Sequence, residues 1–72
     1  MVDKDLVNIL NRDEIDTVLA FAEYDMGIRK TARETFFHYN TIVYRLAKVK
    51  EKTGLDPNRF YDLVKLVQML EK

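Results

Sequence analysis

Cysteine and tryptophan are absent from the 72 residues, and there is a single histidine, His38. Without cysteine the chain has no disulfide, no thiolate nucleophile and no cysteine-based zinc site. A lone histidine without a His/Cys cluster or HxxxH spacing predicts no metal site. The sequence also lacks a nucleophile–base pair and a glycine-rich phosphate loop, so it gives no support for an enzyme and implies no cofactor.

Long hydrophobic runs are absent too. None approaches the roughly 18 apolar residues that a membrane-spanning helix needs. Segment 1–5 mixes charged and apolar residues and lacks the apolar centre of a signal peptide. We therefore expect no membrane association and a cytoplasmic location. A chain of this length forms a single domain with a thin core. It leaves little room for an enclosed site for a small-molecule ligand, which typically needs several hundred Å³.

The chain has no net charge, because 12 basic and 12 acidic residues cancel. The two signs are nevertheless separated along the sequence. Residues 1–27 contain two basic and seven acidic groups, a net charge of −5, whereas residues 28–52 contain seven basic and two acidic groups, a net charge of +5. A basic central segment is typical of an element that binds phosphate, and solvated helix faces are the alternative explanation.

Glycine and proline are scarce, two and one respectively, and indicate boundaries between elements. Gly27 and Gly54 each follow a segment with helical periodicity, where a helix C-cap is expected. Asp56 and Pro57 predict an N-cap followed by the first residue of a helix.

The spacing of the apolar residues predicts an all-α fold, a small bundle of about five helices. Asn11 and Glu14 have the spacing of a capping box at one helix start. There is no hairpin signal and no sustained polar–apolar alternation that would favour strands. The predicted helices span roughly residues 3–10, 14–25, 29–36, 40–52 and 57–71.

The segment 28–52 has the organisation of a helix-turn-helix within the single domain 1–72. A short helix is followed by a three-residue connection and a longer helix. Two helices that cross over a short turn need a small residue at their contact, which Ala32 supplies opposite the apolar Ile42. The longer helix can then enter a major groove about 12 Å wide.

One face of the longer helix is predicted to be free of the core. With Ile42 directed inward and a step of 100° per residue, Leu46 and Val49 also face the core. The far side carries Asn40, Tyr44, Ala47 and Lys48, with Thr41 and Val43 at its margins.

These side chains suit contacts with duplex DNA. An asparagine can read adenine, a tyrosine can contact base or phosphate, and lysine or arginine can neutralise phosphate. Arg45 lies beside the core stripe, so a structural contact along the preceding helix is the alternative to a phosphate contact. The predicted base-contacting residues are Asn40, Thr41 and Tyr44, and the predicted phosphate-contacting residues are Arg29, Lys30, His38, Tyr39, Arg45 and Lys48.

The connection before the longer helix contains Phe36, Phe37 and His38. Helix packing accounts for aromatic residues at such positions, so we expect both phenylalanines to be at least partly buried. For His38 a turn or cap role is favoured, and a phosphate contact is the alternative.

The stretch 31–46 resembles the helix-turn-helix at the C-terminus of PucR-type regulators, a group that includes the CdaR-like sugar-diacid regulators. The resemblance covers about residues 13–70. It implies the DNA-binding output domain of a bacterial-type transcriptional regulator whose sensor or dimerising region lies upstream, and hence an excised domain or a truncated relative. The matching residues, in order and spacing, are His38, Asn40, Thr41, Tyr44, Arg45 and Leu46, followed by Thr53, Gly54, Leu55 and Asp56.

Three positions depart from the pattern of that family. Thr35 stands where leucine is usual, Tyr39 where a basic residue is frequent, and Val43 where arginine or lysine is frequent. The surface that would face the groove is therefore less basic than is usual in the family.

A protein-interaction or dimerisation module without DNA binding of its own is the alternative function. The last predicted helix motivates it, because Leu66 and Met69 widen its apolar arc beyond what a small core buries. The two readings are compatible, since helix-turn-helix proteins commonly bind DNA as dimers. We expect a homodimer, formed through the helix 57–71 or through an upstream domain.

Overall fold

The computed structural model describes residues 8–71. Within that range the chain forms α-helices and no strand, which confirms the all-α class. The helix expected over 3–10 lies outside the described residues except for its end, where residues 8 and 9 are helical. The four complete helices of the described range are α1 (Arg12–Glu23), α2 (Ile28–Thr35), α3 (Tyr39–Thr53) and α4 (Phe60–Leu70).

The capping box at the start of α1 is confirmed. The side chain of Asn11 accepts a hydrogen bond from the amide of Glu14 at 2.8 Å. In return, the carboxylate of Glu14 accepts one from the amide of Asn11 at 3.0 Å. Because this cap satisfies backbone donors that a helix start leaves free, α1 begins two residues earlier than the apolar spacing alone predicted.

The expectation that Gly27 ends this helix is wrong. The chain reverses through Asp25 and Met26, which have left-handed backbone with φ of 58° and 64°. The amide of Met26 donates to the carbonyl of Phe21 at 2.8 Å and so closes the last turn of α1. Gly27 instead has φ −90° and is the N-cap of α2. Packing decides this outcome, because the half-buried Met26 lies against the core.

Phe36 ends α2 in the left-handed region, with φ of 63°. The amide of Phe37 donates to the carbonyl of Ala32 at 3.1 Å, as in a Schellman cap. This backbone geometry leaves the Phe36 side chain 94% exposed, and Phe37 is exposed as well. The expected partial burial of Phe36 is therefore wrong.

Gly54 ends α3 in the left-handed region with φ of 77°, as expected of a C-cap glycine. The next helix, however, begins at Phe60 rather than at Pro57. The carboxylate of Asp56 accepts from the amide of Asn58 at 2.9 Å, and the carbonyl of Asp56 accepts from the amide of Arg59 at 2.9 Å. These two bonds make a turn that contains the fully buried Pro57, and the helix starts only after it.

Helix α1 packs against each of the other three helices, and α2 packs against α3. Ala32, the small residue expected at the contact of α2 with α3, is buried. In α4 the buried residues are Leu63 and Leu66, so the expectation that Leu66 lies outside the core is wrong. Phe60, the first residue of the helix, is 61% exposed. The buried hydrophobic residues are Leu10, Val18, Phe21, Ala32, Ile42, Leu46, Val49, Leu63 and Leu66.

Within residues 8–71 no helix combines the length and the hydropathy needed to cross a membrane.

Candidate nucleic-acid interface

Helix α3 lies across the surface of the domain with one face anchored and one face open. Ile42, Leu46 and Val49 are buried to 1% exposure or less, and they fix the inner face. On the opposite side, Asn40 is exposed and the Tyr44 side chain is 62% exposed. The positions 40, 44 and 48 recur at a spacing of four residues, so their side chains form a single row along the open face.

Lys48 forms a small exposed cluster with its helix neighbours. Its ammonium lies 3.3 Å from a carboxylate oxygen of Glu51 and 5.8 Å from the centroid of the Tyr44 ring. The hydrogen bond to Glu51, followed by its negative charge, raises the pKa of Lys48 above its ordinary value. Lys48 is therefore positively charged at neutral pH, and an exposed ion pair of this kind exchanges readily for another anion.

His38 caps the start of α3. Its Nδ1 accepts a hydrogen bond from the amide of Asn40 at 3.0 Å. Because Nδ1 is the acceptor, the neutral ring carries its hydrogen on Nε2. The cap role favoured from the sequence is thus what the structure shows, and Nε2 is the ring atom left to donate outward. Thr41, the next residue, is half-buried at the edge of the open face.

A basic hollow of about 500 Å³ lies between α2 and the start of α3, lined by Arg29, Ala32, Arg33 and Tyr39. The guanidinium carbon of Arg29 lies 5.7 Å from the centroid of the Tyr39 ring. Arg29 and Tyr39 were both proposed as phosphate contacts from the sequence, and the structure brings them together. Arg33 was missed, although its position four residues after Arg29 places both side chains on one face of α2. The exposed Lys30 lies on the same helix.

Arg45 is directed toward the body of the domain. Its side chain is only 18% exposed, and its guanidinium lies 3.7 Å from the carboxylate of Asp13 in α1. The guanidinium carbon also lies 4.3 Å from the centroid of the Phe37 ring. Of the two roles that the sequence left open, this geometry matches the structural contact, made to α1 and to the connection rather than along α2.

A second ion pair joins α1 to the far end of α3. The ammonium of Lys52 lies 2.8 Å from a carboxylate oxygen of Glu14, a residue that is 4% exposed. Burial opposes ionisation of Glu14, but hydrogen bonds from Lys52 and Asn11 and the charges of Lys52 and Lys48 outweigh it. The pKa of Glu14 therefore lies below its ordinary value of 4.5. The sequence had suggested no role for this acid beyond the capping box.

Metal-ligand clusters are not part of this interface. Residues 8–71 bring together no group of three or more His, Asp or Glu side chains that could hold a metal ion.

Two helices joined by the connection 36–38, with the second anchored by one face and open on the other, define a helix-turn-helix domain. A family profile described as "PucR C-terminal helix-turn-helix domain" matches residues 15–71. The chain therefore belongs to this family of DNA-binding domains of transcriptional regulation.

Among curated proteins, "Uncharacterized protein YsfB" of Bacillus subtilis (strain 168) is 35% identical to this chain over 54 residues. The matched segment covers 75% of this chain but 15% of that protein, so the chain spans a small part of the relative's length. No solved structure matches the chain at a significant level.

Proposed function

We propose that this domain binds duplex DNA sequence-specifically, as the output domain of a longer transcriptional regulator, with α3 in the major groove. The observation that carries the proposal is the open face of α3, where Asn40, Tyr44 and Lys48 lie in one row opposite the buried anchor. A helix with its side chains is about 10–12 Å across, which fits a major groove about 12 Å wide.

Base reading falls to the first two turns of α3. Asn40 offers the paired donor and acceptor that match adenine, and Thr41 can donate or accept at the groove edge. Tyr44 is 62% exposed and has a hydroxyl that can contact a base or a phosphate. The exposed Val43 beside it adds apolar surface that suits a thymine methyl group.

Phosphate binding falls to the two ends of this row. Lys48 is at one end, and its ammonium can exchange Glu51 for a phosphate. The basic hollow adjoins the other end, and we add Arg33 to the predicted contacts there. Nε2–H of His38 and the hydroxyl of Tyr39 can donate at the start of α3. Arg45 is instead assigned to the support of α3, because its guanidinium is already engaged by Asp13 and Phe37. The residues proposed for phosphate binding are thus Arg29, Lys30, Arg33, His38, Tyr39 and Lys48.

Fluorescence anisotropy with labelled duplexes tests the proposal. Binding that weakens steeply with salt is expected, because phosphate contacts release counterions. Lys48→Ala should weaken binding to all duplexes similarly and lower the salt slope by about one. Tyr44→Ala should instead reduce the preference among sequences selected from a random pool. Lys65→Ala, which removes an exposed lysine of α4, is the charge-matched control and should leave both properties nearly unchanged. A wild-type protein that binds no duplex at low salt would refute DNA binding by this domain.

A groove of about 500 Å³ favours homodimerisation as a second, compatible function. It lies between the end of α1 and α4, and its lining is mainly apolar. At its edge Phe60 and the exposed Tyr61 form an edge-to-face pair with ring centroids 5.4 Å apart. Sedimentation equilibrium should show a concentration-dependent dimer that Phe60→Ala weakens. A monomer at all concentrations would refute dimerisation through this groove. The residues that line the groove are Ala22, Asp25, Met26, Phe60, Leu63, Val64, Val67 and Gln68.

A further inference from the structure

Two ion pairs connect the first turn of α1 to α3, and both use cations from the same side of α3. Asp13 lies 3.7 Å from Arg45, and Glu14 lies 2.8 Å from Lys52. Arg45 and Lys52 are seven residues apart, which is about two helical turns, so they lie on one stripe roughly 10 Å apart along the axis. Neighbouring acids of α1 thus hold α3 at two points.

The carboxylate of Glu14 is held in place before it reaches α3. It accepts the amide hydrogen bond of Asn11 within the capping box, and the same oxygen accepts from Lys52. The side chain is also buried, so few alternative rotamers are open to it. Lys52 therefore meets a rigid anion, and the last turns of α3 are tied to the N-terminal cap of α1.

Such ties matter because the buried face of α3 is apolar. The free energy gained by burying Ile42, Leu46 and Val49 is non-directional, so the ion pairs add a directional restraint on the rotation of α3 to that of side-chain packing. Side-chain tips of a helix lie about 5–6 Å from its axis, so a rotation of about 20° moves them by about 2 Å. Base hydrogen bonds operate over about 2.7–3.2 Å, so such a displacement would break them.

We propose that Asp13 and Glu14 are positioning residues for DNA binding: their ion pairs with Arg45 and Lys52 fix the rotation of α3 that presents its open face to the groove. The inference rests on the proposed function. It also means that Arg45 and Lys52 bind acids of α1 and do not bind phosphate.

The sign of the effect on DNA affinity distinguishes positioning from simple electrostatics. Removing a negative charge from a DNA-binding domain should by itself strengthen binding, because phosphate is less repelled. Loss of the tie should do the opposite. We therefore expect Glu14→Gln to weaken binding to a selected duplex by about tenfold, and Asp13→Asn to act in the same direction with a smaller factor, because its pair is longer and more exposed.

Asp16→Asn is the matched control. Asp16 belongs to the same helix and carries the same charge, but its ion pair, at 3.3 Å, is with Arg12 of α1. All variants are compared by anisotropy at a temperature where circular dichroism shows each to be folded. The proposal would be overturned if Glu14→Gln bound the duplex as tightly as Asp16→Asn, or more tightly. It would also be overturned if Glu14→Gln lost only thermal stability and kept its affinity. Absence of binding by the wild-type protein would instead refute the proposed function.

A measurement without DNA tests the positioning itself. Residual dipolar couplings of the ¹⁵N-labelled chain report the orientation of α3 relative to α1. In Glu14→Gln we expect the couplings of α1 to fit the wild-type orientation of that helix and the couplings of α3 to report a changed orientation relative to it. In Asp16→Asn we expect the couplings of both helices to remain as in the wild type. An unchanged orientation in Glu14→Gln would overturn the positioning role whatever the DNA result.

Discussion

Phe36 carries a strain that a single substitution should relieve. Its backbone is left-handed, with φ of 63°, and this costs a residue with a side chain about 1–2 kcal/mol relative to the right-handed region. Replacing it by glycine removes that cost but adds about 0.4–1 kcal/mol of unfolded-state entropy. Because the ring is 94% exposed, almost no buried apolar contact is lost. Phe36→Gly should therefore stabilise the fold by about 0.5–1 kcal/mol.

Thermal and urea unfolding, followed by far-ultraviolet circular dichroism, measure this gain. For a domain of this size about 1 kcal/mol corresponds to a shift of about 4–8 °C in Tm, so a rise of about 2–8 °C is expected. Phe36→Ala is the control, since it removes the ring but keeps the left-handed penalty, and its stability should stay near that of the wild type. If Phe36→Gly proves no more stable than Phe36→Ala, the argument from backbone strain is refuted.

Three further predictions concern the caps and the pH dependence. Gly54→Ala should lower the free energy of unfolding in urea by about 1 kcal/mol. Because nothing lies within 4 Å of the added Cβ, this loss would come from the left-handed φ of residue 54. An unchanged urea midpoint would contradict this prediction. Asn11→Ala should cost about 0.5–2 kcal/mol through loss of the capping box, and Asn11→Asp, which keeps an acceptor, should retain most of the stability. Because the pKa of Glu14 is lowered on folding, its charge stabilises the fold above about pH 4.5. This contribution should be lost as pH falls through the lowered value. The free energy of unfolding, measured with urea at pH 7 and pH 3, should then fall less in Glu14→Gln than in the wild type. Equal decreases in the two proteins would show that Glu14 does not contribute to the pH dependence.

Most of the helical plan can be predicted from local sequence because its signals act within a few residues. The capping box of Asn11 and Glu14, the left-handed Gly54, and the small Ala32 at the contact of two helices all work through short-range geometry. The periodic stripe of α3 likewise identifies its buried side, so the open row of Asn40 and Tyr44 follows from the helical repeat alone. The resemblance to the family likewise came from residue types at fixed spacing between His38 and Asp56, and the family profile extends the match over residues 15–71.

Errors arose where a local signal competed with packing. Gly27 looked like a helix end, but α1 ends at Glu23, the chain reverses through Asp25 and the half-buried Met26, and Gly27 is the N-cap of α2. Pro57 is a good first residue of a helix, yet hydrogen bonds to Asp56 from Asn58 and Arg59 hold it in a buried turn. In both cases several backbone conformations suit the local residues. The half-buried Met26 accompanies the one selected before α2, and local hydrogen bonds together with burial of Pro57 accompany the one selected before α4.

The same distinction between local signals and tertiary contacts applies to the candidate interface. The sequence by itself determined which face of α3 carries the candidate DNA-binding donors and cations, because residue type and helical repeat assign each side chain to a face. Only the tertiary structure decided which cations remain outside. Arg45 and Lys52 pair with Asp13 and Glu14, more than thirty residues earlier in the chain, whereas Arg29 and Arg33 meet Tyr39 in an exposed hollow. Ion pairing between distant segments depends on where packing brings two side chains, and no local pattern carries that distance.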